Sequence, residues 1–362
     1  MKLLYLFSII ITLFSCKEYI TEKNCFKGQK EKNTRHREFE VDNLEKIIKA
    51  NPNYIKFTMD QNIISFEENN AEERNSALYD ETEWKKRLEE YNNQFAALSN
   101  YFNDQFLYIA IQKERNTIFG VAQNQFGYWF LEIKNNIPAA YYLGLSNYTF
   151  INKKQRKNFV NEDKLMLYGS FVRIKGSWGY PFGPQMEVVK DRLNFECNLD
   201  SIRKDSDKDH FNDLFEKLVL LDPNSSDTDN DGISDFKDIN PLNKAENSKF
   251  TNLYSQLIDI DYKNYDFSKN NYSFAGYFSD CDYFQKVGPS KVKVLIYPEN
   301  ERVNLKSDYK LNMFQEYVGK IKKDTDGKTF YINFGSGAGG GYYKAIYENG
   351  KWALTKNSTY NI

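Results

Sequence analysis

The sequence predicts an α+β protein built from two mainly antiparallel-sheet portions and a few helices. Three observations support this prediction. Apolar residues recur at helical spacing in only a few stretches, short aromatic or β-branched runs separated by turn residues fill much of the rest, and an acidic stretch at 205–241 lies between two such regions. The segments expected are a leader at 1–16, a flexible tether at 17–38, α+β domains at 39–200 and 244–362, and a connector at 201–243.

The helices are predicted from their caps and apolar stripes. Asp42 and Glu45 have the spacing of a capping box, for a short helix that must stop before Pro52. Asp80 with Glu83 caps a longer helix of about twenty residues, whose apolar side chains recur at steps of three and four, as in a helix packed on a sheet or a partner helix. That stripe consists of Trp84, Leu88, Tyr91, Phe95, Leu98 and Phe102.

Antiparallel strands are predicted on both sides of the acidic stretch. From Phe106 onward the runs FLYIAIQ, TIFGVAQ, YWFLEIK and AAYYLGL form a meander, and LMLYGSFVRI and the alternation from Leu193 to Leu199 add two strands. After Pro241, FTNLYSQLIDI predicts a short helix, and NYSFAGYF and KVKVLIY predict strands. Asp326-Gly327 and Asn349-Gly350 predict two hairpins with turns of the primed type.

Two glycine-containing loops remain open in function. Residues 335–340 fit the G-x-G-x-x-G pattern, but a strand rather than a helix follows, so a wide hairpin or bulge is favoured over nucleotide binding. The loop at 176–184 carries alternating aromatic residues, Trp178, Tyr180 and Phe182. These rings either cover the sheet, which is favoured, or stack on a sugar or a partner protein.

Composition excludes several classes of function. The formal net charge of -1 and the absence of a basic stripe predict no nucleic-acid binding. His36 and His210 are the only histidines, which argues against a histidine-based transition-metal centre or a Ser-His-Asp hydrolase. The sequence contains neither a G-x-S-x-G elbow nor H-E-x-x-H.

The acidic stretch places aspartates on every second residue twice over, at Asp205, Asp207 and Asp209 and again at Asp227, Asp229 and Asp231. Calcium takes six to eight oxygens at roughly 2.3–2.6 Å, and a curled chain supplies them from alternate positions with a carboxylate near position 12. The predicted cofactor is therefore Ca²⁺, and the alternative is a solvated acidic linker without a bound ion. Both stretches can be aligned with the D-x-[DN]-x-[DN]-G-x₅-E loop, whose ligands stand at positions 1, 3, 5, 7, 9 and 12. In the first stretch these ligands are Asp205, Asp207, Asp209, the Phe211 carbonyl, Asp213 and Glu216. In the second they are Asp227, Asp229, Asp231, the Ile233 carbonyl, Asp235 and Asp238.

The two loops differ at position 6, where the turn prefers positive φ. Gly232 meets this preference in the second loop, whereas His210 predicts a strained or weaker first loop. The paired pattern, with Asp222-Pro223 between the loops, resembles thrombospondin type 3 repeats and related bacterial calcium repeats over about a tenth of the chain. The resemblance implies structural calcium binding that connects or buttresses extracellular domains, with the aspartates and Glu216 as ligands.

The N-terminus indicates export and lipid anchoring. A basic residue and a short apolar run precede Leu13-Phe14-Ser15-Cys16, which resembles a bacterial lipobox and implies acylation of Cys16; an ordinary signal peptide cut elsewhere is the alternative. The expected location is the bacterial cell envelope, in the outer membrane and facing either the periplasm or the surface. The remaining cysteines, Cys25, Cys197 and Cys281, allow at most one intramolecular disulfide and leave one thiol over.

Together these features predict a cell-envelope lipoprotein that binds calcium structurally and acts as a binding or scaffold module. Its expected partners are the membrane, through the lipid, and a protein or glycan ligand. The alternative is an exported hydrolase of glycans or peptides, with two carboxylates facing a cleft and Trp178 or Trp129 on its rim. A third hypothesis is an immunity or inhibitor lipoprotein that presents a flat aromatic patch.

Overall fold

The structure is a computed structural model that describes residues 24–26, 43–75, 80–174, 186–302, 305, 317–336 and 339–361. These residues divide into two compact units, with the boundary between Ser226 and Asp227. Residues 43–226 form the N-terminal unit, and residues 24–26 belong with those after the boundary to the C-terminal unit. The predicted connector at 201–243 is thus shared between the two units.

The N-terminal unit contains five helices and nine strands among its described residues. Its helices are α1 (Leu44–Lys49), α2 (Phe66–Asn75), α3 (Glu81–Phe102), α4 (Leu199–Ile202) and α5 (Asp213–Val219), with a 3₁₀ turn at Asn103–Gln105. Its strands are β1 (Ile55–Met59), β2 (Leu107–Glu114), β3 (Thr117–Asn124), β4 (Gly127–Lys134), β5 (Ile137–Tyr142), β6 (Thr149–Ile151), β7 (Val160–Asn161), β8 (Lys164–Ile174) and β9 (Met186–Asn198).

Two antiparallel sheets enclose the core of the N-terminal unit. The predicted meander forms the sheet β2-β3-β4-β5, and the second sheet has the order β1-β9-β8-β6 with β7 paired to β8. Val121 and Phe130 from the first sheet share one hydrophobic cluster with Leu167 and Phe195 from the second. Burial of this apolar surface, at about 25 cal/mol per Å², is the main force that holds the two sheets together.

Helix α3 confirms the predicted cap and length, but only part of the predicted stripe is buried. Asp80 accepts a hydrogen bond from the Glu83 amide, and Phe95, Leu98 and Phe102 are buried, whereas Trp84 is 50% exposed. A Cβ on Gly120 of β3 would lie 2.7 Å from Leu98 Cδ1. Glycine at this position therefore lets the C-terminal half of the helix approach the sheet closely.

The C-terminal unit contains a helix-covered sheet and a parallel strand pair. Its helices are α6 (Lys249–Asp261) and α7 (Asp282–Gln285), with a 3₁₀ turn at Phe267–Lys269, and its strands are β10 (Phe274–Phe278), β11 (Lys293–Tyr297), β12 (Tyr317–Lys323), β13 (Thr329–Ser336), β14 (Gly339–Glu348) and β15 (Lys351–Asn361). Strands β12 to β15 form an antiparallel sheet, and β10 pairs with β11 in parallel because α7 carries the chain across between them. Side chains of α6, both strand groups and Cys25 share one core.

The glycine-rich run and the turns confirm part of the sequence prediction. Ser336 pairs with Gly339 between β13 and β14 without a register shift, whereas the pairing of β14 with β15 shifts between Gly340 and Gly341, so the expected bulge lies on the β15 side of β14. Asn349 and Gly350 both have positive φ, as a primed turn requires. The prediction of a primed turn at Asp326-Gly327 is wrong, because only Gly327 has positive φ there.

The cysteine prediction is confirmed. Cys25 and Cys281 form a disulfide, and Cys197 is the free thiol. Burial raises the pKa of the Cys197 thiol to about 12, which keeps it protonated and unreactive at neutral pH. Residues 24–26 of the predicted tether are consequently fixed on the C-terminal unit, where Phe26 also pairs with Ile321 of β12. No helix in the described part of the chain is long and apolar enough to cross a membrane.

Candidate metal centre

Each acidic triplet folds into a compact group of carboxylates. We call residues 205–216 the first loop and residues 227–238 the second loop. In the first loop one oxygen from each of Asp205, Asp207 and Asp209 lies within 4.8 Å of the others, and the corresponding aspartates of the second loop do the same. Oxygens bound to one calcium at about 2.4 Å are at most about 5 Å apart. Each triplet can therefore hold a single hard cation.

The two loops lie 22 positions apart and share positive φ at positions 4 and 6, although only the first loop ends in a helix. His210 and Gly232, at position 6, have φ of 94° and 96°, and Lys208 and Asn230, at position 4, have φ of 66° and 59°. Positive φ costs a non-glycine residue of order 1 kcal/mol. The predicted strain at His210 is therefore present in the backbone, yet the first loop adopts the same turn as the second.

Hydrogen bonds inside the loops also correspond. The position 1 carboxylate accepts the position 6 amide in both loops, from His210 to Asp205 at 3.2 Å and from Gly232 to Asp227 at 2.8 Å. The position 5 carboxylate of each loop accepts the position 7 amide, at 2.7 Å in the first loop and 2.9 Å in the second. These bonds orient the carboxylates before any cation arrives.

The position 9 carboxylates are buried, and each accepts hydrogen bonds from the residue at position 2 of its own loop. Asp213 accepts hydrogen bonds from the Ser206 amide and hydroxyl, and Asp235 accepts the equivalent pair from Thr228. Asp213 also forms an ion pair with Lys204, at 2.6 Å. Neither Asp213 nor Asp235 belongs to a carboxylate triplet.

The position 12 acids are buried as well. Glu216 is fully buried on α5 and Asp238 is 3% exposed, and both lie outside the triplets. Asp238 nevertheless interacts electrostatically with the triplet of the second loop, because it helps to raise the pKa of Asp229. At position 7 the backbone carbonyl is the predicted ligand, and the two side chains differ in exposure. Phe211 is 1% exposed, whereas Ile233 is 46% exposed.

Carboxylate pKa values are raised in the second loop, whereas the pKa of Asp213 in the first loop is lowered. Burial and then repulsion from Asp238 and Asp231 raise the pKa of Asp229 to about 6, and burial followed by the charge of Asp231 raises that of Asp238 to about 6. In the first loop burial also disfavours the charged form of Asp213, but hydrogen bonds from Lys204 and Ser206 lower its pKa below the ordinary value. The second loop thus carries more uncompensated negative charge, which a bound cation would neutralise.

The first loop is fixed to the N-terminal unit by the side-chain amide of Asn212 and the ring of Phe215. The Asn212 side chain donates to the carbonyls of Tyr142 and Ile202, at 2.9 and 2.8 Å, and accepts the Tyr142 amide at 3.2 Å. Phe215 is fully buried and packs on Trp129, with ring centroids 5.1 Å apart. These contacts hold α5, and with it the end of the first loop, against β4 and β5.

The second loop is fixed to the C-terminal unit by different groups. The Asn240 side chain donates to the carbonyls of Gln285 and Val287, at 2.8 and 2.9 Å. Lys293 of β11 is fully buried, its ammonium donates to the Phe236 carbonyl, and the ring of Phe236 lies 5.3 Å from it. Sequence reasoning missed Lys293, because a lysine within a strand pattern normally predicts a solvent-facing position.

Other predicted site residues are separate from the loops. Trp129 is fully buried, and its indole N–H donates to Asn124 Oδ1 at 2.7 Å, so it does not line a cleft rim as the hydrolase hypothesis requires. Cys16, Trp178 and the aromatic loop at 176–184 lie outside the described residues. No protein-family model, curated protein or solved structure matches the chain. The chemistry assigned to the loops therefore rests on their own geometry.

Proposed function

We propose that the protein is a lipid-anchored protein of the bacterial cell envelope that binds Ca²⁺ at both loops and acts as a binding or scaffold module. The observation that carries the calcium assignment is the recurrence of one loop geometry, with matching positive φ angles and matching hydrogen bonds, around two carboxylate triplets. A solvated acidic linker has no reason to repeat such a conformation.

The donor chemistry favours calcium among common cations. The triplets offer carboxylate oxygens without a cysteine or histidine ligand, which suits hard cations and disfavours zinc or copper. Magnesium requires near-ideal octahedral geometry and usually retains several waters, whereas calcium accepts the irregular, carboxylate-rich loop of this type. Extracellular modules bind calcium with dissociation constants of roughly 10⁻⁴–10⁻³ M, which fits an exported protein.

The proposed role of calcium is structural. A bound cation supplies the positive charge that offsets repulsion within each triplet. Phe215 and Asn212 then keep the first loop on the N-terminal unit, while Asn240 and Lys293 keep the second loop on the C-terminal unit. In this proposal the acyl group on Cys16 attaches the protein to the membrane, and the folded units bind a protein or glycan partner.

Calorimetric titration of Ca²⁺ into the soluble form lacking residues 1–16 tests the calcium assignment. We expect two ions for the wild type and one for each of the pairs Asp207→Asn/Asp209→Asn and Asp229→Asn/Asp231→Asn. The charge-matched control, Asp104→Asn/Asp163→Asn, changes two exposed aspartates outside the loops and should still bind two. A wild type that binds no calcium, or loop variants that keep both ions, would rule the assignment out.

A further inference from the structure

The disulfide links the beginning of the chain to its second half. Cys25 and Cys281 are 256 positions apart, and both sulfur-bearing residues are buried, at 0% and 2% exposure. Phe26 continues the attachment, because its ring packs edge-on against Phe250 with centroids 5.1 Å apart. The chain is thus fastened to the C-terminal unit before it enters the N-terminal unit.

Because the disulfide attaches the chain to the C-terminal unit, it determines which unit is joined to a lipid on Cys16 by the shorter length of chain. Cys25 follows Cys16 by nine positions, and at 3.3–3.6 Å per position the chain between them reaches roughly 30 Å at most. By the same measure the 27 positions from Cys16 to Asn43, the first described residue of the N-terminal unit, would reach roughly 90 Å. The covalent path to the C-terminal unit is therefore about three times shorter.

The surface around the disulfide has the composition of a membrane-interface contact. Phe26, Phe250 and Tyr283 are each partly exposed, and the rings of Phe250 and Tyr283 lie 5.3 Å apart. Lys249 is an exposed residue, and its ammonium lies 5.4 Å from the Phe250 ring centroid and 4.2 Å from that of Tyr347. Aromatic rings favour the headgroup region of a bilayer, and lysines beside them are attracted by anionic lipids.

We infer that the Cys25–Cys281 disulfide makes this face of the C-terminal unit, bearing Phe26, Phe250 and Tyr283, the membrane-facing surface of the protein. The inference rests on the proposed acylation of Cys16. It assigns the disulfide a role beyond stability, since the bond sets the length of the anchor as well as closing the chain.

Lipid cross-linking with matched insertions tests the inference. The full mature protein is placed in phosphatidylglycerol and phosphatidylethanolamine vesicles that contain a headgroup photo-cross-linker, and labelled peptides are mapped. A flexible Gly/Ser linker of about 20 residues is inserted either between Tyr19 and Ile20, before the disulfide, or between Lys32 and Asn33, after it. We expect labels on the peptides of Phe26, Phe250 and Tyr283 to be lost with the first insertion and kept with the second.

A disulfide-free variant and mass spectrometry complete the design. Cys25→Ser/Cys281→Ser should lose the same labels as the first insertion. Both insertion variants keep the disulfide, so they still test the inference if the double variant does not fold. Equal labelling in the two insertions, or labels confined to residues 43–226, would overturn the inference while leaving acylation intact. A mature chain without an acyl group on Cys16 would overturn the proposed anchoring and this inference together.

Discussion

The first and second loops adopt the same turn but are supported in different ways. In the first loop Phe211 is buried and Lys204 neutralises Asp213, which compensates for a histidine at positive φ. In the second loop glycine removes the backbone strain, but Ile233 is exposed and Asp229 and Asp238 repel the neighbouring acids. The comparison teaches that one turn can be supported by packing and an ion pair in one place and by glycine in another, where the neighbouring acids stay uncompensated.

The largest expected difference concerns the side chain at position 7. Phe211→Ala should lower the free energy of unfolding of the N-terminal unit by about 3–5 kcal/mol, because it removes a buried ring that packs on Phe215. Ile233→Ala should change the stability of the C-terminal unit by less than about 1 kcal/mol, since that side chain is 46% exposed. Urea denaturation in excess calcium measures both, and equal losses would contradict the comparison.

Charge removal at position 3 should affect the loops unequally when calcium is absent. Asp229→Asn should stabilise the second loop by roughly 1–2 kcal/mol in chelator, because it removes a carboxylate whose pKa burial and repulsion raise to about 6. Asp207→Asn should gain less, because the ammonium of Lys204, which directly precedes the first loop, already pairs with Asp213. Thermal unfolding in chelator gives the comparison, and a larger gain for Asp207→Asn would reverse it.

The loops should also respond to pH in opposite directions without calcium. Asp229 and Asp238 have folded pKa values near 6 against an ordinary 3.8, so the second loop is most stable below pH 3.8 and loses stability as the pH rises through 6. The pKa of Asp213 is lowered, so its contribution to the first loop is present above pH 3.8 and is lost as the pH falls. Amide exchange of each loop from about pH 2.5 to pH 7, corrected for intrinsic rates, covers both windows. Slopes of the same sign in the two loops would contradict this prediction.

The smallest expected effect is at position 6. His210→Gly should stabilise the first loop by about 1 kcal/mol, because glycine adopts positive φ without a steric penalty. Gly232→His should cost a similar amount, since open space surrounds Gly232 and only the backbone conformation opposes a side chain there. Denaturation midpoints of the two variants measure both changes, and a loss of stability in His210→Gly would show that the imidazole has a contact of its own.

Local patterns in the sequence predicted much of the fold. The cap at Asp80, the meander from β2 to β5 and the turn at Asn349-Gly350 each depend on neighbouring residues, and all are confirmed. The parallel pairing of β10 with β11 and the choice of Cys281 as the partner of Cys25 depend on residues far apart in sequence, which spacing alone does not determine.

The candidate site follows the same division. Alternating aspartates predicted both carboxylate triplets, because adjacent positions of one turn form each of them. The Lys204–Asp213 ion pair and the support that Lys293 gives to Phe236 were not predictable, since they depend on how each loop lies on its unit. Periodicity likewise did not predict which half of α3 is buried, since Trp84 fits the apolar stripe but is 50% exposed.

The most direct test of the account is amide hydrogen exchange of peptides covering 205–216 and 227–238 in calcium and in chelator. Both peptides should gain protection in calcium, and the second should gain more because its carboxylates have less compensating charge. Unchanged protection of both loops at millimolar calcium would contradict the claim that these carboxylate triplets bind the ion.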